Sequence, residues 1–224
     1  VDGHGATLPE QRLQAVFYVG SMTVPNPSVR PARSEEDREA AAEALALAFA
    51  DDPAWAHLLP DSETRAERLL VFFTTEIGSL APELRDVWVT EDGSGAAVWA
   101  RPGRWRVPLT QTLRMARPMA RVFGARLPLA TWTQLRFERR HPPAPGHWYL
   151  HYIGVEPRRQ GRGLGGALLA PVLELCDREG HPAHLEASTH RNRMLYERNG
   201  FALTGIYDLP AGGPPMREMW REPG

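Results

Sequence analysis

The stretch Val155–Ala167, V-E-P-R-R-Q-G-R-G-L-G-G-A, decides how the rest of this chain is read. It follows the apolar run Trp148–Gly154, breaks it at Pro157, and passes four glycines into an apolar segment of helical spacing. A strand–loop–helix junction of this kind bares backbone amides at a helix N-terminus, which makes a cradle for an anion. Gly161, Gly163, Gly165 and Gly166 put no side chain in a phosphate's way, and Arg162 sets a fixed positive charge among them. The junction predicts a diphosphate ligand.

Downstream, Gly163–Glu179 reads as a helix with Leu164, Leu168, Val172 and Leu175 on one stripe, kinked at Pro171 and closed by Gly180. Ala183–Ser188 is a strand with His184, Glu186 and Ser188 on one face. Asn192–Asn199 is a short helix stopped by Gly200; Asn192 and Tyr196, four apart, share a face. Phe201–Leu209 and Met216–Arg221 form a closing strand pair.

Upstream, His147–Val155 is a strand in which Trp148, Leu150 and Tyr152 share one face and Tyr149, His151 and Ile153 the other. Gly154 near its end predicts a bulge or a close backbone approach. The segment Arg101–Arg140 carries ten arginines against one acid, Glu138. Its apolar spacing predicts two amphipathic helices split near Gly124–Pro128, either as a solvated face or as a charged flap over a site. Asp86–Glu91 and Ala96–Ala100 make a hairpin. Before it come a helix from about Ser62, carrying Leu69, Leu70, Phe72, Phe73 and Ile77 to a core, and a helix capped by Ser34 and Asp37 that ends at Asp51-Asp52-Pro53. Val29–Arg33 is a short strand. Residues 1–27 lack a sustained period and are expected to be a disordered extension; Met22 reads as a natural start, and residues 28–224 as a single domain with a helical insert over about 103–141.

Composition narrows the function. A length of 224 residues with 42% apolar content supports a real core, and a formal net charge of −1 gives no overall field for nucleic acid or an anionic membrane. All 26 basic residues are arginine, so a lysine nucleophile is excluded. One cysteine, Cys176, rules out an intrachain disulfide and a cysteine zinc cage, and no metal is expected from this pattern. No apolar run reaches the roughly 20 residues of a membrane span. The chain reads as cytoplasmic.

Two phosphate-binding readings compete for the glycine loop. Gly161-x-Gly163-x-x-Gly166 with Glu186 about 20 residues on satisfies a dinucleotide fingerprint. That fold opens with the motif and needs several further strand–helix units, whereas fewer than 60 residues remain here. The second reading joins V-x-P-x-x-Q-G-x-G-x-G (Val155, Pro157, Gln160, Gly161, Gly163, Gly165) to N-x-x-x-Y-x-x-x-G-F (Asn192, Tyr196, Gly200, Phe201) across one helix and one strand. Together these resemble the signature of the GNAT acyl-CoA-dependent N-acetyltransferases. Further pieces, V-R-P-A-R, A-F-A-D-D-P and W-Y-L-H-Y-I-G-V among them, are similar to puromycin N-acetyltransferase and related actinobacterial members, over roughly 29–221 and weakest across the arginine-rich insert.

The resemblance implies an α/β fold with a mixed central sheet, two splayed strands and flanking helices. It implies acetyl-CoA as cofactor, held by Ile153, Gly154, Val155, the loop Gln160, Gly161, Arg162, Gly163, Leu164, Gly165 and Gly166, and by Asn192. Tyr196 would protonate the departing thiolate. Glu186 is the first candidate for the base that deprotonates an acceptor amine, and His151 the second. Phe49, Asp52 and Trp55 are expected to line the acceptor pocket. The expected acceptor is a small-molecule primary amine, an antibiotic or another aminated metabolite, and a homodimer is compatible with the family. A non-catalytic acyl-CoA-binding module and a protein N-acetyltransferase stay open at this point.

Overall fold

The computed structural model describes residues 28–79 and 86–224, so the extension expected over 1–27, Met22 included, lies outside the described residues. Seven strands form one sheet: β1 (Val29–Pro31), β2 (Asp86–Thr90), β3 (Gly95–Ala100), β4 (Trp148–Val155), β5 (Ala183–Ala187), β6 (Ala202–Asp208) and β7 (Pro215–Arg221), in the order β1-β2-β3-β4-β5-β7-β6. Every neighbouring pair is antiparallel except β4–β5, which is parallel. The parallel pair needs a crossover, and α6 (Leu164–Glu179) supplies it.

The β4–β5 pairing stops early. Trp148, Leu150 and Tyr149 face Ala183, Leu185 and His184, and beyond Leu150 the two strands have no common register although β4 continues to Val155. The expected splay is this parting. A second irregularity lies between β3 and β4: Val98 pairs with Tyr152 and Trp99 with Leu150, so His151 is the extra residue of a bulge. One inserted residue reverses the facing of everything after it.

Trp148, Leu150, Ile153 and Val155 therefore pack with α6, while Tyr152 falls on the other face, among Phe49, Phe72 and Phe73. Simple alternation had put Tyr152 with Trp148 and Leu150, and the bulge at His151 overturns it. Gly154 is the close approach of the two alternatives expected there, the bulge lying at His151: a Cβ at Gly154 would stand 2.6 Å from Ala48 Cβ on the helix α1 (Glu35–Phe49).

Two apolar layers flank the sheet. α1 and α3 (Ser62–Ser79) cover one face through Ala41, Leu45, Leu69, Phe73 and Ile77; Leu70, expected in that core, is exposed because it falls off the stripe. α6 covers the other face with Leu168, Leu169, Val172, Leu173 and Cys176, running unbroken through Pro171. Ser34 and Asp37 close α1 with the reciprocal capping box their spacing predicted. Asp52 and Pro53 stop α1 and also start a short helix, α2 (Pro53–Leu58), which the sequence reading passed over.

The insert is two helices, α4 (Leu109–Phe123) and α5 (Leu127–Arg140), with the break at Gly124–Arg126. Among its arginines, Arg140 forks onto Glu218 at 2.7 and 2.9 Å, and Arg136 lies over the Tyr207 ring. The face turned inward is apolar, with Met115 and Phe123 buried. No helix among the described residues is long and apolar enough to cross a membrane.

Candidate active site

The glycine loop holds its shape through left-handed backbone at Gly161 (φ +79°) and Gly163 (φ +82°), the latter capping α6. A Cβ at Gly161, Gly163 or Gly166 would meet nothing within 4 Å, so the loop faces open space. The first intrahelical bond runs from the Ala167 amide to the Gly163 carbonyl, leaving the amides of Leu164, Gly165 and Gly166 at the bare helix end. Gly165 also lets α6 approach Leu195, whose Cδ2 stands 3.0 Å from where a Cβ would be. Arg162 is exposed beside them.

Gln160 departs from its expected part. Its amide turns back to the Pro157 carbonyl at 3.4 Å and its side chain donates to the Val155 carbonyl at 2.9 Å, so it ties the loop to the end of β4.

Backbone direction at the end of β4 follows from one bond. The Glu156 amide donates to the Ser94 carbonyl, so Glu156 and, by alternation, Gly154 turn their backbone groups to β3. Ile153 and Val155 turn theirs to the opposite edge, into the gap that β5 has vacated. Gly154 serves this edge through its close packing on α1.

On the next strand Glu186 accepts a hydrogen bond from the Tyr149 hydroxyl at 2.8 Å through Oε2. Its Oε1 is sealed from solvent without a hydrogen-bond partner among the described residues. Burial, the largest influence, lifts its pKa from 4.5 to about 8, against the lowering effect of Tyr149. His151, the bulged residue, sits beside it with its ring 4.3 Å from that of Tyr149.

α7 (His190–Arg198) begins two residues before its expected start, and Thr189 rather than Asn192 caps it by accepting the Asn192 amide. That frees the Asn192 side chain, whose Nδ2 lies 3.5 Å from Ser188 Oγ. The Ser188 hydroxyl in turn donates to Asp52 Oδ2. Asp52 also caps α2, its Oδ1 accepting the Ala54 amide at 2.9 Å, and burial raises its pKa. Tyr196, one turn along α7, is buried, and burial followed by the nearby Asp52 raises its pKa well above the ordinary phenol value.

One cavity of about 560 Å³ collects these groups. Phe49, Asp52, Trp55, His151, Ile153, Glu186, Asn192 and Tyr196 all line it, between α4 and α5 on one side and β4 and β5 on the other. Tyr149 and Ser188, which hold Glu186 and Asp52, were not singled out from the sequence; the shared strand face of His184, Glu186 and Ser188 was the available signal. Cys176 lies in the core, where burial pushes its thiol up to about 12 and leaves it unreactive.

A family model described as "Acetyltransferase (GNAT) family" matches residues 125–201, the span holding the loop, Glu186, Asn192 and Tyr196. An N-acetyltransferase of Schizosaccharomyces pombe, C550.08, whose own role is uncharacterised, is 30% identical over 201 residues, covering 84% of this chain and 81% of that protein. The fold is similar to a crystal structure of a Corynebacterium glutamicum protein described as histone acetyltransferase HPA2 and related acetyltransferase. Its TM-score is 0.68 at 25% identity, over 89% of this chain and 97% of that one. A phosphinothricin acetyltransferase of Sinorhizobium meliloti, solved with acetyl-CoA, is similar at a TM-score of 0.50 and 17% identity, over 89% of each chain. With the splayed sheet and glycine loop already in place, the relative matched over most of both chains settles the matter: the chain belongs to the GNAT family of acetyltransferases.

Proposed function

We propose that the protein transfers an acetyl group from acetyl-CoA to the primary amine of a small molecule with an aromatic or apolar body. The cavity carries this reading. Its volume of about 560 Å³ suits a small molecule, and Phe49, Trp55, Phe72, Phe123 and Tyr152 give it aromatic walls. Glu76 and Glu138 line it against one arginine, Arg106, and Asp52 and Glu186, whose pKa values burial raises, add acceptors for an ammonium, a set that favours a cationic amine. Walls supplied by α4 and α5 separate it from the open groove that a protein substrate requires.

The chain's own residues fit an acyl-CoA. The amides of Leu164, Gly165 and Gly166 with Arg162 would hold its pyrophosphate, and the backbone groups of Ile153, the Val155 amide and Asn192 would hold its arm. When bound it supplies an acyl thioester. Oε1 of Glu186 takes the proton that the substrate ammonium must lose; at about 8 its pKa stands closer to the ~10 of an alkylammonium than an ordinary carboxylate does. Glu186 is preferred to His151 because it lines the cavity with a basicity raised to about 8 by burial.

The part expected of Tyr196 is refined by its environment. Its phenol is held far less acidic than a thiol, ordinarily near 8.5, so it keeps its proton and stabilises a departing sulfur by donating a hydrogen bond.

The test is release of free thiol from acetyl-CoA across a panel of arylalkylamines, aliphatic polyamines, the aminonucleoside puromycin and lysine peptides. Turnover fastest on aromatic primary amines supports the proposal; turnover confined to peptides refutes it. Puromycin turnover would extend the similarity seen in the sequence to substrate choice.

A further inference from the structure

The end of the insert carries a second group of chemistry-bearing side chains. His141 follows α5, His147 precedes β4 and His184 lies on β5; all three are buried, and one ring nitrogen of each lies within 4.8 Å of the others. Their ring centroids stand 4.8 Å apart for His141–His147, 5.3 Å for His141–His184 and 5.6 Å for His147–His184. Three imidazoles bound to one tetrahedral ion at Zn–N ~2.0–2.1 Å place their ring centres roughly 5 Å apart.

The hydrogen bonding ties two of the rings together and leaves a nitrogen of the third without a partner among the described residues. His147 Nδ1 lies 2.8 Å from the Pro145 carbonyl, which puts the proton on that nitrogen and leaves a lone pair on Nε2. That Nε2 accepts a hydrogen bond from His141 Nε2–H at 2.9 Å, and a cation bound by both rings would take that proton's place, with His141 protonated on Nδ1 instead. His184 Nδ1 is buried with no hydrogen-bond partner among the described residues, and His184 as a whole is 2% exposed.

The setting suits a soft divalent cation. The Trp105 ring stacks 3.8 Å from that of His141 and the Trp220 ring lies 5.0 Å from that of His147, so aromatic side chains flank the group. An all-imidazole set selects a transition metal over Mg²⁺ or Ca²⁺.

We propose that His141, His147 and His184 form a three-histidine site for a first-row divalent transition metal, Zn²⁺ foremost, which pins the end of α5 to β4 and β5. The expectation of no metal rested on the lone cysteine and did not weigh histidines brought together by the fold. The clamp is structural. Tyr149 stands between the cluster and Glu186, its ring 5.6 Å from His184 while its hydroxyl reaches the carboxylate.

Untagged full-length protein, stripped with a chelator, reloaded with Zn²⁺ and desalted, tests this by elemental analysis. About one zinc per chain is expected. Zinc a hundredfold above Kd is expected to raise Tm by about 5–10 °C, reversed by chelator. His184→Ala should fall to background zinc while His181→Ala, which removes a histidine elsewhere, keeps it. Background zinc in the wild type, or full zinc in folded His184→Ala, overturns the proposal. Should His184→Ala fail to fold, Co²⁺-loaded wild type decides: intense four-coordinate visible bands support the site, and the weak spectrum of aqueous Co²⁺ overturns it.

Discussion

Tyr149 donates to Glu186 at 2.8 Å across the parallel strands β4 and β5, just before those strands part, and thereby orients a carboxylate whose other oxygen has no hydrogen-bond partner among the described residues. If Glu186 is the base, the rate on saturating amine should rise with pH along a limb centred near 8. Glu186→Gln should lower kcat/KM by about 10²–10⁴-fold and abolish that limb. Tyr149→Phe removes a bond to the ionised form and should move the limb to higher pH. A pH–rate series on the three proteins checks all of this, and a retained limb in Glu186→Gln would pass the role to His151.

The same carboxylate links stability to pH. Its pKa is raised from 4.5 to about 8 by folding, so the folded state keeps a proton that the unfolded state releases between those values. The contribution is fully present below pH 4.5 and is lost as pH rises through 8, at a cost on the order of a few kcal/mol. Glu186→Gln never ionises, so its Tm relative to wild type should increase between pH 5 and pH 9. Parallel Tm curves for the two proteins would contradict the buried, proton-bearing state.

Tyr196→Phe keeps the ring against Phe201, whose centroid is 6.0 Å away, and deletes only the hydroxyl. We expect kcat to fall about 100-fold, as for loss of one preorganised donor, with the KM for acetyl-CoA nearly unchanged. A rise in KM at constant kcat would mean that the hydroxyl binds the cofactor arm.

What could be read in advance was whatever repeats locally along the chain. The Ser34–Asp37 cap, the Gly161–Gly166 loop, the Asn192–Tyr196 spacing and the helix break at Gly124 each depend on residues within a few positions of one another. The bulge at His151 does not: it exists only in register with β3, and it moved Tyr152 to the acceptor face. The Ser188–Asp52 bond joins residues 136 apart, and the histidine cluster draws on an insert end, a linker and a strand. Asp52-Pro53 was read as a stop and is a start as well, because an acid before proline also caps the next helix.

Gly154 joins the packing of α1 to the shape of the cofactor gap. A Cβ there would lie 2.6 Å from Ala48 Cβ and 3.1 Å from Leu45 Cδ2, and Ala48 has no side chain length with which to yield. Gly154→Ala should cost about 1–3 kcal/mol, seen as a lower Tm or urea midpoint. Because Ile153 and Val155 flank it and face the gap, the displaced strand should also raise the KM for acetyl-CoA. Adding Ala48→Gly makes room for the new methyl at about 1 kcal/mol of helix propensity. The double variant should therefore recover the KM while regaining only part of the stability. A Gly154→Ala single variant with wild-type Tm and KM would show that this contact neither packs the sheet nor sets the gap.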